Sequence, residues 1–323
     1  MKALVTGGSG FIGSHLVETL LARGWDVCVI AKDRMYCSDT SVPVTIADLR
    51  DEQVLAPLLR DVDMVYHVAG LTRARRSVDY YTVNHLGTRA LLRACERHCF
   101  RLQRLVYVSS LTAVGPRLGA DEVTETTHYH PVSHYGRSKM LAEIEVLDAA
   151  GSMPVTIVRP SAVYGPRDRD FFRYFKMIRT GIEPLLGSGH HQLNLVYVED
   201  LVRGIIQAGE HPSGNGEVFF IGGENFSTEM ICRRIAEAMK KRPLVFHLPE
   251  SIIYVVGAAG EAAGRLLRRQ VFFNVQKVRE AVQDAWTCSI EKARGRIGFE
   301  PHYSISDGMA VTYEWYRENG WLA

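Results

Sequence analysis

The segment HYGRSKMLAE at residues 134–143 contains a tyrosine and a lysine, Tyr135 and Lys139, four positions apart. In a helix, residues at i and i+4 lie on one face, so a phenol and an ammonium would be neighbours. A free phenol has a pKa of about 10 and is a poor base at neutral pH. A nearby ammonium stabilises the phenolate and lowers that pKa. The pair therefore predicts a tyrosine that exchanges a proton with a substrate oxygen.

Two serines, Ser109 and Ser110, follow the apolar run RLVYV, and Ser110 precedes Tyr135 by 25 residues. The carboxyl ends of parallel strands form the edge at which open α/β folds bind ligands. We expect Ser110 to hydrogen-bond the same substrate oxygen as Tyr135 and to orient it, while a cofactor exchanges hydride with the adjacent carbon. Ser109 is predicted to contact that cofactor.

A glycine-rich turn, TGGSGFIGSHL, follows the first apolar run of the chain and opens an amphipathic helix. This strand–turn–helix context is the one in which such glycines bind a dinucleotide: they allow a tight turn, close approach of backbone N–H groups to a pyrophosphate and close helix–strand contact. The predicted cofactor contacts in the turn are Gly7, Gly10, Phe11, Ile12 and Gly13.

The end of the second predicted strand reads VIAKDRM and bears on the choice of cofactor. Enzymes that use NAD usually place an acid there to bind the ribose hydroxyls, but strand register puts Ala31 at that position. The cations Lys32 and Arg34 suit the 2′-phosphate of NADP, so NADP is favoured over NAD. Two alternatives stay open, namely that Asp33 reaches the ribose and that the cations are only solvated loop charges.

Two further segments are predicted to contact the cofactor. Asp48 and Leu49 end the third strand, where the carboxylate can meet the adenine. Ala69 and Gly70, in the sequence HVAG, end the fourth strand beside the pyrophosphate.

Short Val- and Ile-rich runs alternate with longer segments of helical periodicity up to about residue 165. The strands are apolar on both faces, as in a parallel sheet covered by helices. We therefore predict a Rossmann-type, doubly wound α/β fold. Residues 1–165 are assigned to the dinucleotide-binding core, to which residues 193–222 return, and residues 166–192 and 223–323 to a smaller, mainly helical substrate lobe.

Composition excludes several classes of protein. A net charge of +2 argues against a nucleic-acid-binding protein. Six scattered cysteines indicate free thiols in a reducing compartment, and CERHC at 95–99 fits ordinary helix positions better than a metal site, so no metal is predicted. A strand beginning at residue 2 leaves no room for a targeting segment, and the apolar run at 252–260 is too short to span a membrane. The expected location is the cytoplasm.

Taken together, the motifs resemble those of the extended short-chain dehydrogenase/reductase family, which includes NAD-dependent epimerases and dehydratases. The resemblance covers nearly the whole chain and rests on TGGSGFIGSHL, HVAG, VNHLGT, VSSLTAVGP, YGRSK, VRPSAVYGP and LVYVEDLV. It implies a catalytic triad of Ser110, Tyr135 and Lys139. It also implies that Asn84 organises the site and that Pro160 and Val163 pass the nicotinamide. Relatives often dimerise through the helices that begin here near Tyr80 and Ser133.

Departures from the family pattern bear on the reaction. Dehydratases carry an Asp-Glu pair where this chain has Leu111, Thr112 and Ala113, so elimination chemistry lacks its acid and base. Sugar-nucleotide enzymes commonly carry an arginine before LVYVEDLV, where this chain reads HHQLN. The pattern is closest to the reductases of the dihydroflavonol-reductase and 3β-hydroxysteroid-dehydrogenase type.

Two groups of residues leave the substrate open. One is a set of cations near the expected pocket mouth, which either bind an acidic substrate or are solvated and partly paired with Asp168 and Asp170. These cations are Arg73, Arg75, Arg76, Arg167 and Arg169. The other is a set of aromatic residues that suits either a hydrophobic substrate or the core. These residues are Phe171, Phe172, Phe175, Tyr254, Phe272 and Phe273.

The sequence thus predicts an NAD(P)-dependent oxidoreductase that interconverts a secondary alcohol and a ketone on a small, moderately apolar molecule. Tyr135 exchanges the proton, Lys139 tunes it and holds the nicotinamide ribose, and Ser110 positions the carbonyl. The alternative is a sugar-nucleotide epimerase with the same triad and a tightly bound NAD. A third interpretation is a non-catalytic protein that senses dinucleotides or serves as a scaffold.

Overall fold

The structure, a computed structural model, describes residues 1–32, 42–187, 189–266 and 275–322. Arg34, Phe272 and Phe273 lie outside the described residues. The strands are β1 Lys2–Thr6, β2 Asp26–Ala31, β3 Val44–Ile46, β4 Met64–His67, β5 Arg104–Val108, β6 Val155–Pro160, β7 Ala162–Tyr164, β8 Ile182–Leu186, β9 Gln192–Tyr197, β10 Glu217–Ile221, β11 Asn225–Ser227, β12 Leu244–Leu248 and β13 Ala285–Trp286.

Helices connect most of these strands. The α-helices are α1 Phe11–Ala22, α2 Glu52–Leu59, α3 Ser77–Tyr80, α4 Gly87–His98, α5 Leu111–Val114, α6 His134–Asp148, α7 Phe172–Arg179, α8 Val198–Glu210, α9 Thr228–Ala238, α10 Glu250–Leu266, α11 Val275–Ala281, α12 Glu291–Ile297 and α13 Ile305–Glu318. A π-helical segment, Tyr81–Leu86, joins α3 to α4, and short 3₁₀ turns lie at Ala149–Gly151 and Pro212–Gly214.

The large sheet contains seven parallel strands in the order β10-β6-β5-β4-β1-β2-β3. The order reverses between β1 and β4, and the crevice at such a switch point is where doubly wound folds bind ligands. Apolar side chains from both faces of the sheet form two buried clusters beneath the flanking helices. Cys95 and Cys99 belong to one of them, as expected for ordinary helix positions. The predicted Rossmann-type fold is confirmed.

The run VTIVRPSAV, at residues 155–163, divides between two sheets. β6 ends at Pro160 in the large sheet, whereas β7 pairs with β9 in a four-stranded sheet that also contains β11 and β13. Proline has no N–H to continue a ladder, which explains why the strand leaves the large sheet there. Residues 193–222, predicted to return to the core, contain strands of both sheets. β10 is an edge strand of the large sheet, whereas β9 belongs to the four-stranded sheet. The division into a core and a substrate lobe stays a prediction.

A third cluster of buried side chains lies under α7, α9 and α13. Phe171 and Phe175 belong to this cluster, and the ring of Phe172 packs on it, so these three aromatic residues serve the core. Within the described part of the chain, no helix combines the length and apolar content needed to cross a membrane.

A buried ion pair ties α6 to β6. The Arg159 guanidinium donates to both oxygens of the Glu143 carboxylate, from Nε to Oε1 and Oε2 at 3.1 Å each and from Nη2 to Oε2 at 2.7 Å. The Tyr129 hydroxyl donates to the same carboxylate at 2.7 Å. The side chains of Arg159 and Glu143 are only 3% and 0% exposed. Each buried charge is therefore stabilised by its counter-ion, because water does not reach the pair to take the place of that counter-ion.

Glu143→Gln should destabilise the protein by roughly 3–5 kcal/mol, because it leaves the Arg159 charge buried without its counter-ion. Urea denaturation measures the loss of unfolding free energy. The double variant Glu143→Leu, Arg159→Met is the control and should recover most of it, since both charges are removed. A single variant as stable as the double variant would contradict this account.

Candidate active site

The glycine turn after β1 is packed directly against the loop after β4. Gly7 has a φ of +73°, and a Cβ built on it would lie 2.7 Å from the Cα of Ala69. A Cβ on Gly13 would lie 2.2 Å from the carbonyl oxygen of Gly7. Both positions therefore require glycine, one for its backbone conformation and both for close approach.

The first turn of α1 presents backbone donors that no side chain caps. Gly10 is the N-cap residue and provides no side-chain bond, so the N–H groups of Phe11 and Ile12 face the turn uncapped. Uncapped N–H groups and the positive end of the helix dipole are suited to a pyrophosphate. This turn therefore fits a dinucleotide.

A chain of hydrogen bonds holds the end of β4 in place. The Thr6 hydroxyl lies 2.7 Å from His67 Nδ1, and His67 Nε2 lies 2.8 Å from the Thr88 hydroxyl. The Ala69 N–H donates to the Thr6 hydroxyl at 3.3 Å. Burial lowers the pKa of His67 to about 3, and the charge of Lys139 acts in the same direction. This histidine is therefore a neutral connector that positions Ala69 and Gly70.

Asn84 lies in the π-helical segment, a geometry often found at functional sites. Its Oδ1 accepts a bond from the Leu71 N–H at 2.7 Å, and its Nδ2 donates to Leu71 O at 3.0 Å and to the Ser138 hydroxyl at 2.9 Å. Its side chain is 1% exposed. Asn84 thus ties the loop after β4 to α6, which agrees with the organising role that the resemblance implied.

Ser110 is the N-cap of α5 and lies near Tyr135. Its hydroxyl oxygen accepts bonds from the Thr112 N–H at 3.2 Å and the Thr112 hydroxyl at 2.8 Å. The Ser110 proton is then free to be donated. Burial raises the pKa of Tyr135, and the nearby Ser110 hydroxyl acts in the opposite direction. Sequence reasoning did not assign a role to Thr112, although a threonine two positions after a serine N-cap is a local signal for it.

Lys139 is buried beneath the site. Its Nζ donates to Val108 O at 2.7 Å and lies 4.3 Å from the centre of the Tyr107 ring. A Cβ built on Gly70 would be 3.8 Å from this Nζ, so the ammonium lies against the loop after β4. Burial lowers the pKa of Lys139 to about 7, and the Glu143 carboxylate one helical turn away opposes that shift.

Tyr135 has a second cationic neighbour that sequence reasoning missed. Burial raises the pKa of Tyr135 to about 12, and the charge of Lys277 is the largest effect that lowers it. Lys277 Nζ lies 6.0 Å from the centre of the Tyr135 ring and forms an ion pair of 2.7 Å with Glu280. The sequence-based prediction assigned the lowering of this pKa to Lys139. In the structure, burial raises this pKa overall, and the charge that opposes the rise most is that of Lys277 on α11. Lys277 lies far from Tyr135 in the chain, so no local sequence pattern indicates the contact.

The helix α11 is held against the start of α6. The side-chain oxygen of Gln276 accepts a bond from the His134 N–H at 3.1 Å, one residue before Tyr135. The Tyr80 ring lies on another side of the phenol, with its centre 6.2 Å from that of the Tyr135 ring. Side chains from distant parts of the chain therefore lie near the phenol.

The residues predicted to contact the 2′-phosphate and the adenine follow β2 and β3. Lys32 is exposed and close enough to Asp48 for its charge to lower the pKa of that carboxyl, an effect smaller than that of the hydrogen bond from Arg50. The Asp48 carboxylate forms an ion pair of 2.6 Å with Arg50. Leu49 is buried in the core. The predicted contact of Arg34 lies outside the described residues.

Three other predicted cofactor residues lie at or after the ends of β5 and β6. The Ser109 hydroxyl is buried and makes no hydrogen bond to the described residues. Pro160 is the last residue of β6, and Val163 lies in β7, partly buried against the core. Their position at this edge agrees with the family-based expectation.

The cations near the pocket mouth are largely compensated. Arg73 pairs with Asp170, Arg76 with Asp79 at 2.7 Å, and Arg167 with Glu18 at 2.6 Å. These pairings favour the interpretation that they are structural loop charges.

Asp168 and Arg169 lie next to Arg167 in the chain, and their contacts differ from the ion pairs above. Asp168 is buried, accepts bonds from the N–H groups of Asp170 and Phe171, and has a pKa raised by burial to about 7. Arg169 lies over the Trp321 ring, with its guanidinium carbon 5.8 Å from the ring centre. It also lines a cavity of about 380 Å³ together with Phe172, Arg173, Lys176 and Trp321.

The fold and the turn from Gly7 to Gly13, which we call the glycine cradle, agree with the family whose model the sequence matches. Residues 3–222 match the model of the NAD dependent epimerase/dehydratase family. The chain belongs to this family and is an enzyme of the extended short-chain dehydrogenase/reductase type.

Curated relatives include a reductase, dehydrogenases and epimerases. The chain is 31% identical to a ceramide reductase of Caulobacter vibrioides, over 98% of this chain and 95% of that protein. It is 27% identical to the human sterol-4-alpha-carboxylate 3-dehydrogenase (decarboxylating), over 98% of this chain and 88% of that protein. Among solved structures, the UDP-glucose 4-epimerase of Thermus thermophilus in complex with NAD is similar, with a TM-score of 0.79, 26% identity and coverage of 98% and 99% of the two chains.

Lys277→Met should raise the pKa of Tyr135, because it removes the cation that favours the phenolate. Alcohol oxidation, which needs the phenolate, should then shift to higher pH and fall about three- to tenfold near neutral pH. The measurement is the pH profile of kcat/KM.

Two variants serve as controls for this effect. Lys277→Arg keeps the charge and should keep the wild-type profile, and Lys292→Met, on α12, removes a cation elsewhere. An unchanged profile in Lys277→Met would show that this cation does not act on the phenol.

Proposed function

We propose that the protein is an NAD(P)-dependent oxidoreductase that interconverts a secondary alcohol and a ketone on a moderately apolar substrate. The observation that carries this proposal is the convergence of Ser110, Tyr135 and Lys139 with the glycine cradle at the carboxyl edge of the large sheet. A phenol, a hydroxyl and a buried ammonium beside a dinucleotide cradle are the groups that hydride transfer to a carbonyl requires.

Residues at the carboxyl edge of the large sheet would hold the cofactor. The turn from Gly7 to Gly13 would bind the pyrophosphate beside Ala69 and Gly70. Ser109, Pro160 and Val163 would contact the nicotinamide end, and Lys139 would bind the nicotinamide ribose. When bound, NAD(P)H would supply the hydride. Ribose hydroxyls beside Lys139 would favour its charged form, because the buried ammonium would gain partners.

In the reducing direction the carbonyl oxygen accepts hydrogen bonds from Ser110 and Tyr135. As the carbonyl carbon gains a hydride and its π bond breaks, Tyr135 transfers its proton to the oxygen, which gives the alcohol. The resulting phenolate is stabilised by the Ser110 hydroxyl and the charge of Lys277. Solvent returns the proton to the phenolate before the next turnover.

An apolar substrate is supported by two observations. The cations Arg73, Arg76 and Arg167 have carboxylate partners, so they are less available to bind a diphosphate. Two curated relatives, the ceramide reductase and the sterol dehydrogenase, are named for lipids. The epimerase stays the second candidate, since solved structures of UDP-sugar epimerases share the fold. In that case the substrate would be oxidised and reduced again on the same cofactor.

The family-based homodimer also stays a prediction. Exposed apolar residues on the helices expected to pair, Val78, Val83 and Ile144, support it.

Tyr135→Phe and Lys139→Met should each lower kcat by at least about a hundredfold, because the first removes the transferred proton and the second the buried ammonium proposed to bind the nicotinamide ribose. The assay follows oxidation of NADPH and NADH with a panel of aliphatic, sterol and sphingoid ketones. Net cofactor consumption identifies a reductase.

Tyr81→Phe is the matched control, because Tyr81 bonds His134 beside the site and is expected to retain activity. An epimerase would interconvert sugar nucleotides without net cofactor consumption and would be purified with NAD bound. Near-normal rates in both catalytic variants would reject the mechanism. If Tyr135→Phe left the biological effect of the protein unchanged, the non-catalytic interpretation would be favoured.

Lys32→Glu should weaken NADPH binding about tenfold more than NADH binding, because the new carboxylate repels the 2′-phosphate and can bind a ribose hydroxyl. Dissociation constants from the quenching of tryptophan fluorescence measure the difference. Arg50→Ala, which removes a cation that is already paired with Asp48, is the control. An equal loss of affinity for both dinucleotides would remove the preference for NADP.

A further inference from the structure

An exposed apolar surface covers β12 and the first turns of α10. Among the described residues, fifteen large hydrophobic side chains are exposed, and six of them lie between residues 244 and 255. They are Leu244, Val245, Phe246, Ile252, Tyr254 and Val255, with exposed fractions from 42% to 79%. We call these six residues the apolar patch. Exposed apolar residues scattered singly are normal, whereas a contiguous group marks a contact surface.

The backbone of this region also departs from ordinary surface structure. β12 pairs with β8 alone, in a two-stranded sheet, so its other edge is open. Four consecutive residues of β12, from Leu244 to His247, are exposed, which means that neither face of the strand is covered. Soluble proteins normally protect such an edge with charges or a covering element.

Charges border the apolar patch on one side. Lys240, Lys241 and Arg242 come directly before β12, and all three are exposed. None of them forms an ion pair within the described parts of the chain. The segment from 240 to 260 contains these three cations and a single carboxylate, that of Glu250. The surface is therefore both apolar and locally positive, although the whole chain has a net charge of only +2.

An apolar patch bordered by cations fits one kind of partner. A lipid bilayer offers an apolar interior for Phe246 and Val255, and anionic headgroups at the depth that flanking cations reach. The elements involved differ from α3, α4 and α6 and the π-helical segment between them, which carry Val78, Val83 and Ile144, so the apolar patch is separate from the expected dimer face. We propose that the apolar patch, with Lys240, Lys241 and Arg242, docks the protein peripherally on an anionic lipid bilayer.

A protein docked in this way would bind a lipid ketone at the bilayer surface. This consequence rests on the proposed function, but docking itself does not, since none of the residues involved belongs to the catalytic or cofactor site. Membrane binding and turnover can therefore be measured separately.

The test is flotation of the purified full-length chain with vesicles of phosphatidylcholine alone or with about one third phosphatidylglycerol. Binding is expected to the anionic vesicles and to weaken with salt, because screening reduces the attraction of the cations. The triple variant Lys240→Glu, Lys241→Glu, Arg242→Glu should bind at least about tenfold more weakly.

The control triple variant Lys292→Glu, Arg294→Glu, Arg296→Glu changes the total charge equally and should bind as the wild type does. Equal binding by the two triple variants, or no binding of the wild type to anionic vesicles, would overturn the proposal.

Insertion of the apolar patch is tested by Phe246→Trp. Its fluorescence should shift to shorter wavelength on anionic vesicles and be quenched by brominated acyl chains. The variant Leu244→Ser, Phe246→Ser, Val255→Ser should lose binding while keeping the wild-type melting temperature within a few degrees and the wild-type turnover of a water-soluble ketone.

The alternative occupant is a second copy of the chain. Analytical ultracentrifugation without lipid would then show that the triple serine variant forms smaller assemblies than the wild type. That result, together with an absence of tryptophan quenching, would overturn the proposal in favour of self-association.

Discussion

The site depends on the burial of one ammonium group between β5 and α6. Lys139 is 3% exposed, so its charge must be satisfied by the protein and by whatever binds beside it. The protein supplies the carbonyl of Val108, the face of the Tyr107 ring and the carboxylate of Glu143. Burial still lowers the pKa of this lysine to about 7, since it disfavours the charged ammonium. Ligands with hydroxyl groups near this nitrogen are therefore favoured.

The surrounding bonds serve to keep α6 in register with the sheet. Glu143, which faces Lys139, is itself held by Arg159 of β6 and by the hydroxyl of Tyr129. Asn84 ties the loop after β4 to Ser138 on the same helix. A shift of α6 by one residue would break both connections and remove Tyr135 from the edge of the sheet. The catalytic geometry and the stability of this part of the fold thus rest on the same contacts.

The apolar patch is a different kind of feature, because nothing in the fold requires it. Buried clusters account for the large apolar residues of the core, yet β12 and the start of α10 leave six large apolar side chains exposed. Exposed apolar area costs solubility, so its presence beside three cations is best understood as a surface for a partner.

Local sequence determined the sheet, the glycine cradle and the main catalytic side chains, because each depends on residues close in the chain. Apolar runs of strand length, the spacing of Gly7 to Gly13 and the i, i+4 spacing of Tyr135 and Lys139 are short-range patterns. Only the tertiary structure placed Lys277 beside Tyr135, paired Arg167 with Glu18 and moved β7 into a second sheet. Those contacts join residues far apart in the chain, and charge interactions depend on distance and burial, which no local pattern encodes.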